Sequence, residues 1–256
     1  MLSPRIIPCL LIKDGGLVKT VNFKDPTYVG DPINAVKIFN EKEVDELVVL
    51  DIDATTESRE PNYKLIENLA AECRMPLCYG GGISSVEQIQ KIISLGVEKV
   101  SICSSTVSNQ DLLIEGAKVV GSQSIVGAID IVKTKNNYFV SKNCGTVNTN
   151  IDPEKLILKY LKCNVGEIFL NFINKEGEMS GYDYEYIDKI FSKISVPLTV
   201  VGGAGKLEDF SKLFKKFNLI GAAAGSYFVF KGIYKAVLIN YISKEDKLKL
   251  FKKSYV

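Results

Sequence analysis

The sequence predicts a (β/α)8 barrel in which all 256 residues form one domain, on three observations. Short apolar runs alternate with amphipathic segments along the chain, and about 250 residues is the usual length of eight such pairs. Several runs, among them "ELVVLDI" and "EIFLNFI", are almost continuously apolar, which is typical of parallel strands covered on both faces. The second half of the sequence also repeats the first. A doubly wound open sheet is the alternative fold for this alternation.

The apolar runs predict eight strands, over residues 5–11, 46–52, 76–80, 98–103, 124–130, 167–172, 197–202 and 219–224. Segments between them, such as "DPINAVKIFNEK" and "KLEDFSKLFKKF", carry apolar residues every three or four positions and predict helices with one buried face. In "SSVEQIQ", Ser85 stands before an acidic first turn and predicts a helix start. Strand and helix therefore alternate as a barrel requires.

An internal repeat with a period of about 121 residues divides the chain into half-repeats of about 1–121 and 122–242. "PLCYGGGIS" (76–84) aligns with "PLTVVGGAG" (197–205), and "DELVVLDID" (45–53) aligns with "GEIFLNFIN" (166–174). Each half supplies four strands, and no Pro- or Ser-rich linker separates the halves. The stretches 13–30 and 132–150 occupy equivalent places and exceed ordinary connections, which predicts irregular, mobile loops over a site.

Composition excludes several classes of function. The 32 basic and 30 acidic residues give a net charge of +2, which argues against nucleic acid or an anionic membrane as partner. No apolar run is long enough for a membrane span or a signal peptide, which predicts a cytoplasmic protein. Histidine is absent, so Ser-His-Asp catalysis and His-ligated metals are excluded. The six cysteines show no metal-site spacing, and we expect no metal or organic cofactor.

Glycines and serines at the carboxyl ends of the strands are candidate phosphate ligands, because the active face of such barrels lies there. Glycine lets backbone N–H groups approach an anion, and a following helix adds a favourable dipole. The candidates form two groups, Gly81, Gly82 and Ser104 after strands 3 and 4, and Gly202, Gly203, Gly225 and Ser226 after strands 7 and 8. Two groups on opposite sides predict a substrate with a phosphate at each end. Packing or turn glycines are the alternative.

Asp130 ends strand 5 between the two groups and is a candidate general acid or base, with capping of the next loop as the alternative. Lys19, Asp51 and Asp53 are further polar residues near the mouth, for which functional and structural roles are equally open.

Four charged residues begin strands at the opposite end of the barrel. These residues could simply be solvated strand ends, or they could form a salt-bridged ring across the barrel bottom. They are Arg5, Glu46, Lys99 and Glu167.

Taken together, these motifs make the chain similar to the cyclase subunit of imidazole glycerol phosphate synthase, from histidine biosynthesis. The resemblance runs from "RIIPCLLIKDG" through "CYGGGI", "GVEKVSI", "GSQSIVGAID" and "SGYD" to "VVGGAGK" and covers essentially the whole chain. It implies a barrel that binds a bisphosphate and a glutaminase subunit docked on its N-terminal face. Ammonia from that subunit would pass through the barrel and attack the substrate, which is lysed and cyclised to imidazole glycerol phosphate and an aminoimidazole carboxamide ribotide.

The resemblance also implies roles for particular residues. Asp130 matches one of the family's two catalytic aspartates, but the other falls on Leu11. Glu176 and Cys103 stand where the family usually has Asp and Asn. A leucine cannot exchange a proton, and loss of one partner of an acid–base pair costs about 10²–10⁴-fold in rate. The ring residues match the family's ammonia gate, namely Arg5, Glu46, Lys99 and Glu167.

A retained gate beside an altered mouth resembles the second-copy, paralogous branch of this subunit from surface-polysaccharide and flagellin-glycan gene clusters. "PCLLIKDGGLVKTVNFKDPTYVGDPINA" is especially like that branch. The resemblance implies a glutaminase and a sugar amidotransferase as partners, and ammonia that converts an acetamido group to an acetamidino group. The alternative is a fully active cyclase of histidine biosynthesis. The related barrel isomerase of that pathway is a weaker match, because it leaves the charged ring unexplained.

Overall fold

The computed structural model describes residues 4–135 and 137–252. Eight barrel strands follow one another as β1 (Arg5–Lys13), β2 (Leu47–Asp51), β3 (Leu77–Gly80), β4 (Lys99–Ile102), β5 (Ile125–Thr134), β6 (Glu167–Phe172), β7 (Leu198–Val201) and β8 (Ile220–Ala224). Each pairs in parallel with the next, and β8 pairs in parallel with β1, which closes the sheet. The predicted (β/α)8 barrel is confirmed, and the open-sheet alternative is wrong.

The helices are α1 (Pro32–Glu41), α2 (Tyr63–Glu72), α3 (Val86–Ser94), α4 (Asp111–Val120), α5 (Pro153–Lys162), α6 (Tyr184–Phe191), α7 (Leu207–Lys216) and α8 (Lys244–Lys252). Short helices, Ser104–Ser108 and Ser226–Val229, follow β4 and β8, and 3₁₀ turns cover Ser122–Ser124 and Ile173–Lys175. The predicted helix start at Ser85 is confirmed by a reciprocal capping box with Gln88. None of the described helices has the length and apolarity to cross a bilayer.

Side-chain alternation along the strands builds two cores. On β1, Ile6 and Leu10 face the helices and join the main core, whereas Ile7 and Cys9 face the barrel interior. The interior core consists of small and medium apolar residues with one aromatic ring: Ile7, Cys9, Val48, Cys78, Val126, Ala128, Phe169, Val201 and Ala223. The barrel interior is therefore mainly apolar between its two polar ends, with Ser101 as a buried hydroxyl.

The stretches predicted as irregular loops are regular hairpins, so that expectation is wrong. Strand β1 runs on to Lys13 and pairs with Gly16–Val21, which pairs with Lys24–Gly30. We call residues 13–30 hairpin 1. Strand β5 likewise pairs with Asn137–Lys142 and then Val147–Asn148, and we call this part, residues 132–148, hairpin 2. Positive φ at Asn22 and Phe23 supplies the tight turn that lets hairpin 1 fold back.

A smaller hairpin, Phe230–Lys231 with Ala236–Val237, leads from β8 towards α8.

Candidate active site

The mouth at the carboxyl ends of the strands holds two cavities. The larger, about 520 Å³, lies beside β2 to β5, and the smaller, about 30 Å³, lies beside β1 and β6 to β8. Phe23, Leu50 and Asn171 line both and so lie between them. Of the predicted residues, Asp51, Gly81, Gly82, Ser104 and Asp130 line the larger cavity, and Lys19, Glu176, Gly202, Gly203, Gly225 and Ser226 line the smaller.

Asp130 presents a carboxylate to the larger cavity. Its backbone pairs with Asn171 on β6, whose Nδ2 donates a hydrogen bond to Asp130 Oδ1 at 2.8 Å. Burial raises the pKa of Asp130 to about 6, against the opposing effect of hydrogen bonds from Asn171 and from the Cys103 thiol. A carboxyl group with this pKa can exchange protons near neutral pH, as a general acid or base must.

Leu11 occupies the corresponding place on β1 but has a different environment. It pairs with Leu50 on β2 and with Val18 of hairpin 1, and its side chain is 3% exposed. Leu11, Val18 and Ile52 form an apolar cluster, against which Phe23, Leu50 and Cys144 pack. This apolar cluster contains no carboxylate, so acid–base capacity at the strand ends β1 and β5 is confined to β5.

The glycines at the strand ends have packing reasons of their own. Gly81 has a φ of +123° and Gly203 a φ of +108°, both in the region that favours glycine. A Cβ at Gly81 would collide with the carbonyl oxygen of Asp51, and one at Gly203 with that of Gly181. The packing alternative therefore accounts for these two glycines, whose backbones nevertheless line the cavities.

The two candidate serines begin the short helices at the mouth. Ser104 starts Ser104–Ser108, and its Oγ accepts a hydrogen bond from Asn143 N of hairpin 2 at 2.9 Å. Ser226 starts Ser226–Val229 beside the smaller cavity. Hairpin 2 thus contacts the larger cavity directly above Ser104.

Lys19 of hairpin 1 is 4% exposed and extends into the smaller cavity. Its Nζ lies 3.9 Å from Glu176 Oε1, and it stands so close to Gly225 that a Cβ there would collide with it. An enclosed ammonium group in a cavity lined by glycines is an arrangement suited to an anion.

Glu176 fastens hairpin 1 to the segment that follows β6. Its Oε2 accepts hydrogen bonds from Thr20 Oγ1 at 2.8 Å and Phe23 N at 3.0 Å, and its carbonyl oxygen accepts one from Asn22 N at 2.9 Å. Three bonds to one buried residue give Glu176 a structural task at the mouth, beside any contact with a ligand.

Asp51 and Asp53 are both engaged in local structure. The Asp51 carboxylate accepts the N–H groups of Asp53 and Ala54 at 3.1 and 3.0 Å, and burial raises the pKa of Asp51. Asp53 accepts from Lys13 Nζ at 2.8 Å and Asp14 N at 3.0 Å. These contacts give both carboxylates a local structural role, and Asp51 also lines the larger cavity.

Within the described ranges, one cluster of three carboxylates has the spacing of a metal site. It comprises Asp14, Asp53 and Glu57, whose carboxylates lie within 4.8 Å of one another. Lys13 already pairs with Asp53 at 2.8 Å, and Arg59 with Glu57 at 2.6 Å. These cations offset the negative charge of the three carboxylates, which leaves the cluster poorly suited to a metal ion.

At the other end of the barrel, the four charged strand starts meet in one ring. Arg5 pairs with Glu46 and, at 2.7 Å, with Glu167. Lys99 Nζ lies 2.9 Å from a carboxylate oxygen of each glutamate. Each cation thus bridges both acids. Burial alone would raise the pKa of Glu167, but the charges of Arg5 and Lys99 outweigh it and lower that pKa.

Two of the polar residues that sequence reasoning missed contact the charged ring or Asp130 directly. Thr199 is fully buried beside the ring, where its Oγ1 donates to Glu167 Oε1 at 2.5 Å and accepts from Arg5 Nη2 at 3.2 Å. Gly221 leaves room for it, since a Cβ there would collide with the Thr199 hydroxyl. The other is Asn171, the partner of Asp130. Both residues could have been found from the sequence, because each is a polar residue within an apolar strand. Thr199 lies in "PLTVV" and Asn171 in "EIFLNFI".

Comparison with known proteins agrees with this architecture. The family model described as histidine biosynthesis protein matches residues 5–235. A protein of Leptospira interrogans, provisionally named imidazole glycerol phosphate synthase subunit HisF, is 52% identical over 253 residues, which cover 98% of this chain and 100% of the relative. A Vibrio vulnificus protein, provisionally named subunit hisF3 of that synthase, is 53% identical over 254 residues, covering 97% and 96%. The imidazole glycerol phosphate synthase subunit HisF of Natranaerobius thermophilus is 39% identical over 245 residues, covering 96% and 98%. The chain therefore belongs to the histidine biosynthesis protein family, among its HisF-type members.

Proposed function

We propose that this chain is a cyclase-type subunit that takes ammonia from a glutaminase through its barrel, and whose own cyclase chemistry is impaired. In this proposal the ammonia serves the formation of an acetamidino group on a sugar of a surface polysaccharide or flagellin glycan. The observation that carries it is the apolar cluster around Leu11, which stands at the mouth beside Asp130 while the charged ring at the barrel bottom is complete.

The interior of the barrel supports passage of a small neutral molecule. Between the charged ring and the mouth, the inward-facing residues are mainly apolar, with the buried hydroxyl of Ser101 among them, and include the small side chains of Cys9, Ala128 and Ala223. Transfer of an ion into such a lining is far more costly than transfer of a neutral molecule. The lining therefore favours ammonia over ammonium.

A glutaminase subunit would dock on the N-terminal face, where Arg5, Glu46, Lys99 and Glu167 lie. The sugar amidotransferase would take the ammonia at the mouth. We place these partners in the cytoplasm. The test is isotopic: [15N-amide]glutamine is supplied to the three proteins with an acetamido sugar and a nucleoside triphosphate, in a buffer of unlabelled ammonium. The nucleoside triphosphate activates the acetamido oxygen, which then leaves as phosphate when ammonia adds. Retention of 15N in the acetamidino group supports the proposal, and dilution to the buffer value contradicts it.

Restoring a carboxylate at position 11 should raise cyclase turnover. With the bisphosphate ribulosyl substrate and excess ammonium salt, no glutaminase is needed. We expect Leu11→Asp to exceed the unmodified chain by about 10²–10⁴-fold, because it restores the second member of an acid–base pair. It should also cost about 1–3 kcal/mol of stability, since the carboxylate enters an apolar cluster.

Leu11→Asn is the matched control for size and polarity, because it cannot exchange a proton. A rate in the unmodified chain equal to that of Leu11→Asp would contradict impaired chemistry and favour the fully active cyclase of histidine biosynthesis. Equal, low rates in all three proteins, with substrate binding intact by calorimetry, would mean that other mouth residues have diverged.

Lys19 should contribute to binding of a phosphorylated small molecule in the smaller cavity. We expect Lys19→Met to weaken binding of the bisphosphate by about 10- to 100-fold in calorimetry, because a hydrogen bond to a charged group contributes about 1.5–3 kcal/mol. Lys24→Met, on the exposed side of the same hairpin, is the control. Equal affinities of the two variants would show that Lys19 does not hold a phosphate.

A further inference from the structure

We propose that Asn171 is a positioning residue for Asp130, which it holds at the larger cavity in the charged form. The inference rests on the proposed function only in taking Asp130 as the acid–base group. Its physical content, the state of the Asp130 carboxylate, can be measured without substrate or partner.

The geometry of the pair is fixed by the barrel itself. Asn171 and Asp130 are register partners on the adjacent parallel strands β6 and β5, so their side chains point in the same direction from neighbouring backbones. Asn171 is 5% exposed, and its amide donates to Asp130 Oδ1 at 2.8 Å. A buried amide in a pair of this kind has little freedom to leave its acceptor.

The equivalent pair in the first half of the chain shows what the mouth is like without this bond. Leu11 and Leu50 are register partners on β1 and β2, and both belong to the apolar side of the mouth. Of these two equivalent register pairs, only the pair in the second half is thus polar, as a unit of two residues. Asn171 also lines both cavities, which places it beside any ligand that reaches Asp130.

Other groups around Asp130 leave Asn171 as its principal polar partner. The Cys103 thiol from the end of β4 donates to the same carboxylate. The same cavity is lined by Cys144 and Lys142 of hairpin 2, by Asp51 at the end of β2, and by Arg59 and Glu60 beyond it. Within the described ranges, none of these charged residues forms an ion pair with Asp130. Donors to the charged form lower a carboxyl pKa, so loss of Asn171 must raise it.

The test is an NMR titration of the 13C-labelled aspartate carboxyl groups, with the Asp130 signal assigned by its absence in Asp130→Asn. We expect a midpoint of about 6 in the unmodified chain. Asn171→Leu keeps the volume and removes the donor, and should raise the midpoint by about 1 to 2, the equivalent of a charged hydrogen bond. Asn171→Gln, which retains an amide donor, should restore much of the difference.

Asn40→Leu is the matched control, because Asn40 donates to a backbone oxygen at 2.7 Å at the end of α2, away from the mouth. Should Asn171→Leu fail to fold, Asn171→Ala removes the donor without a larger side chain. An unchanged Asp130 midpoint in a folded Asn171 variant would overturn the inference. Failure of the proposed function would appear elsewhere, as dilution of 15N in the acetamidino group to the buffer value, with a protein whose Asp130 midpoint still responds to Asn171.

Discussion

Glu167→Ala should lower the free energy of unfolding by about 3 kcal/mol, the low end of the cost of breaking a buried ion pair. Glu167 is 4% exposed and pairs with both Arg5 and Lys99, so its loss leaves two cations with only Glu46 between them. Thr199 loses its acceptor as well. The low end applies because the two cations keep 23% and 18% of their side-chain exposure and can recover some hydration.

Urea denaturation of three variants measures this effect. Glu67→Ala breaks an exposed ion pair with Lys64 and should cost less than about 1 kcal/mol. Glu167→Gln keeps the volume and an acceptor for Thr199. A Glu167→Ala value within error of Glu67→Ala would mean that the ring is only a set of solvated strand ends.

The contribution of Glu167 should depend on pH in one direction. Its pKa is lower in the folded protein than the ordinary value of 4.5, so the folded state binds its proton less readily than the unfolded chain. The stabilisation is therefore complete above that value and is lost as the pH falls below it. The difference between the unmodified chain and Glu167→Gln should accordingly be constant above about pH 5 and shrink in acid.

In the complex with the glutaminase, Glu167→Ala should separate glutamine hydrolysis from use of the ammonia. An open or misaligned ring would release ammonia to solvent, so the ratio of product to glutamate formed should fall. An unchanged ratio would remove the ammonia-gate role that we propose for the ring.

The strands could be predicted because each is an apolar run between polar segments. Residues 167–172 were predicted without error, the boundaries at Arg5, Gly80 and Ala224 also agree, and the remaining boundaries differ by one to four residues. The largest difference is at β5, which extends to Thr134 because Asn137–Lys142 supplies an antiparallel partner beyond the barrel edge. A partner that lies later in the chain leaves no local signal at residue 131.

The mouth could be predicted only in part, because its properties arise from residues that meet in space. Asp130 was identifiable as an acid at a strand end, but its partner Asn171 is 41 residues away and depends on the β5–β6 register. The apolar cluster joins Leu11 and Val18 to Ile52, and hairpin 2 adds Cys144. Similarly, Glu176 was recognisable as a departure from the family, but not as the residue that fastens hairpin 1.

Asp130→Asn should lower ammonium-dependent cyclase turnover by about 10²–10⁴-fold relative to its parent protein. The same decrease is expected in the unmodified chain and in Leu11→Asp. Ammonia that adds to carbon must lose a proton, and a carboxylate with a pKa of about 6 can accept it at neutral pH. At constant free ammonia, turnover by the parent should therefore rise through about pH 6 and then level off. Asp188→Asn, on the outer surface of α6, should leave the profile unchanged.

Asp130→Asn should also increase the free energy of unfolding, and this effect distinguishes a catalytic Asp130 from a structural one. The pKa of the Asp130 carboxyl is raised from 3.8 to about 6 on folding, so the unmodified chain loses stability as the pH rises between these values. At pH 7 the loss of stability is about 1–3 kcal/mol, because each unit by which the pKa rises on folding corresponds to about 1.36 kcal/mol. Asp130→Asn should recover it in urea denaturation, since an asparagine carries no charge to bury. A carboxylate retained for capping or packing would instead cost stability when replaced, so a less stable Asp130→Asn would contradict its role as the acid–base group. Lost turnover together with gained stability is the result expected of a group held at the mouth for its chemistry.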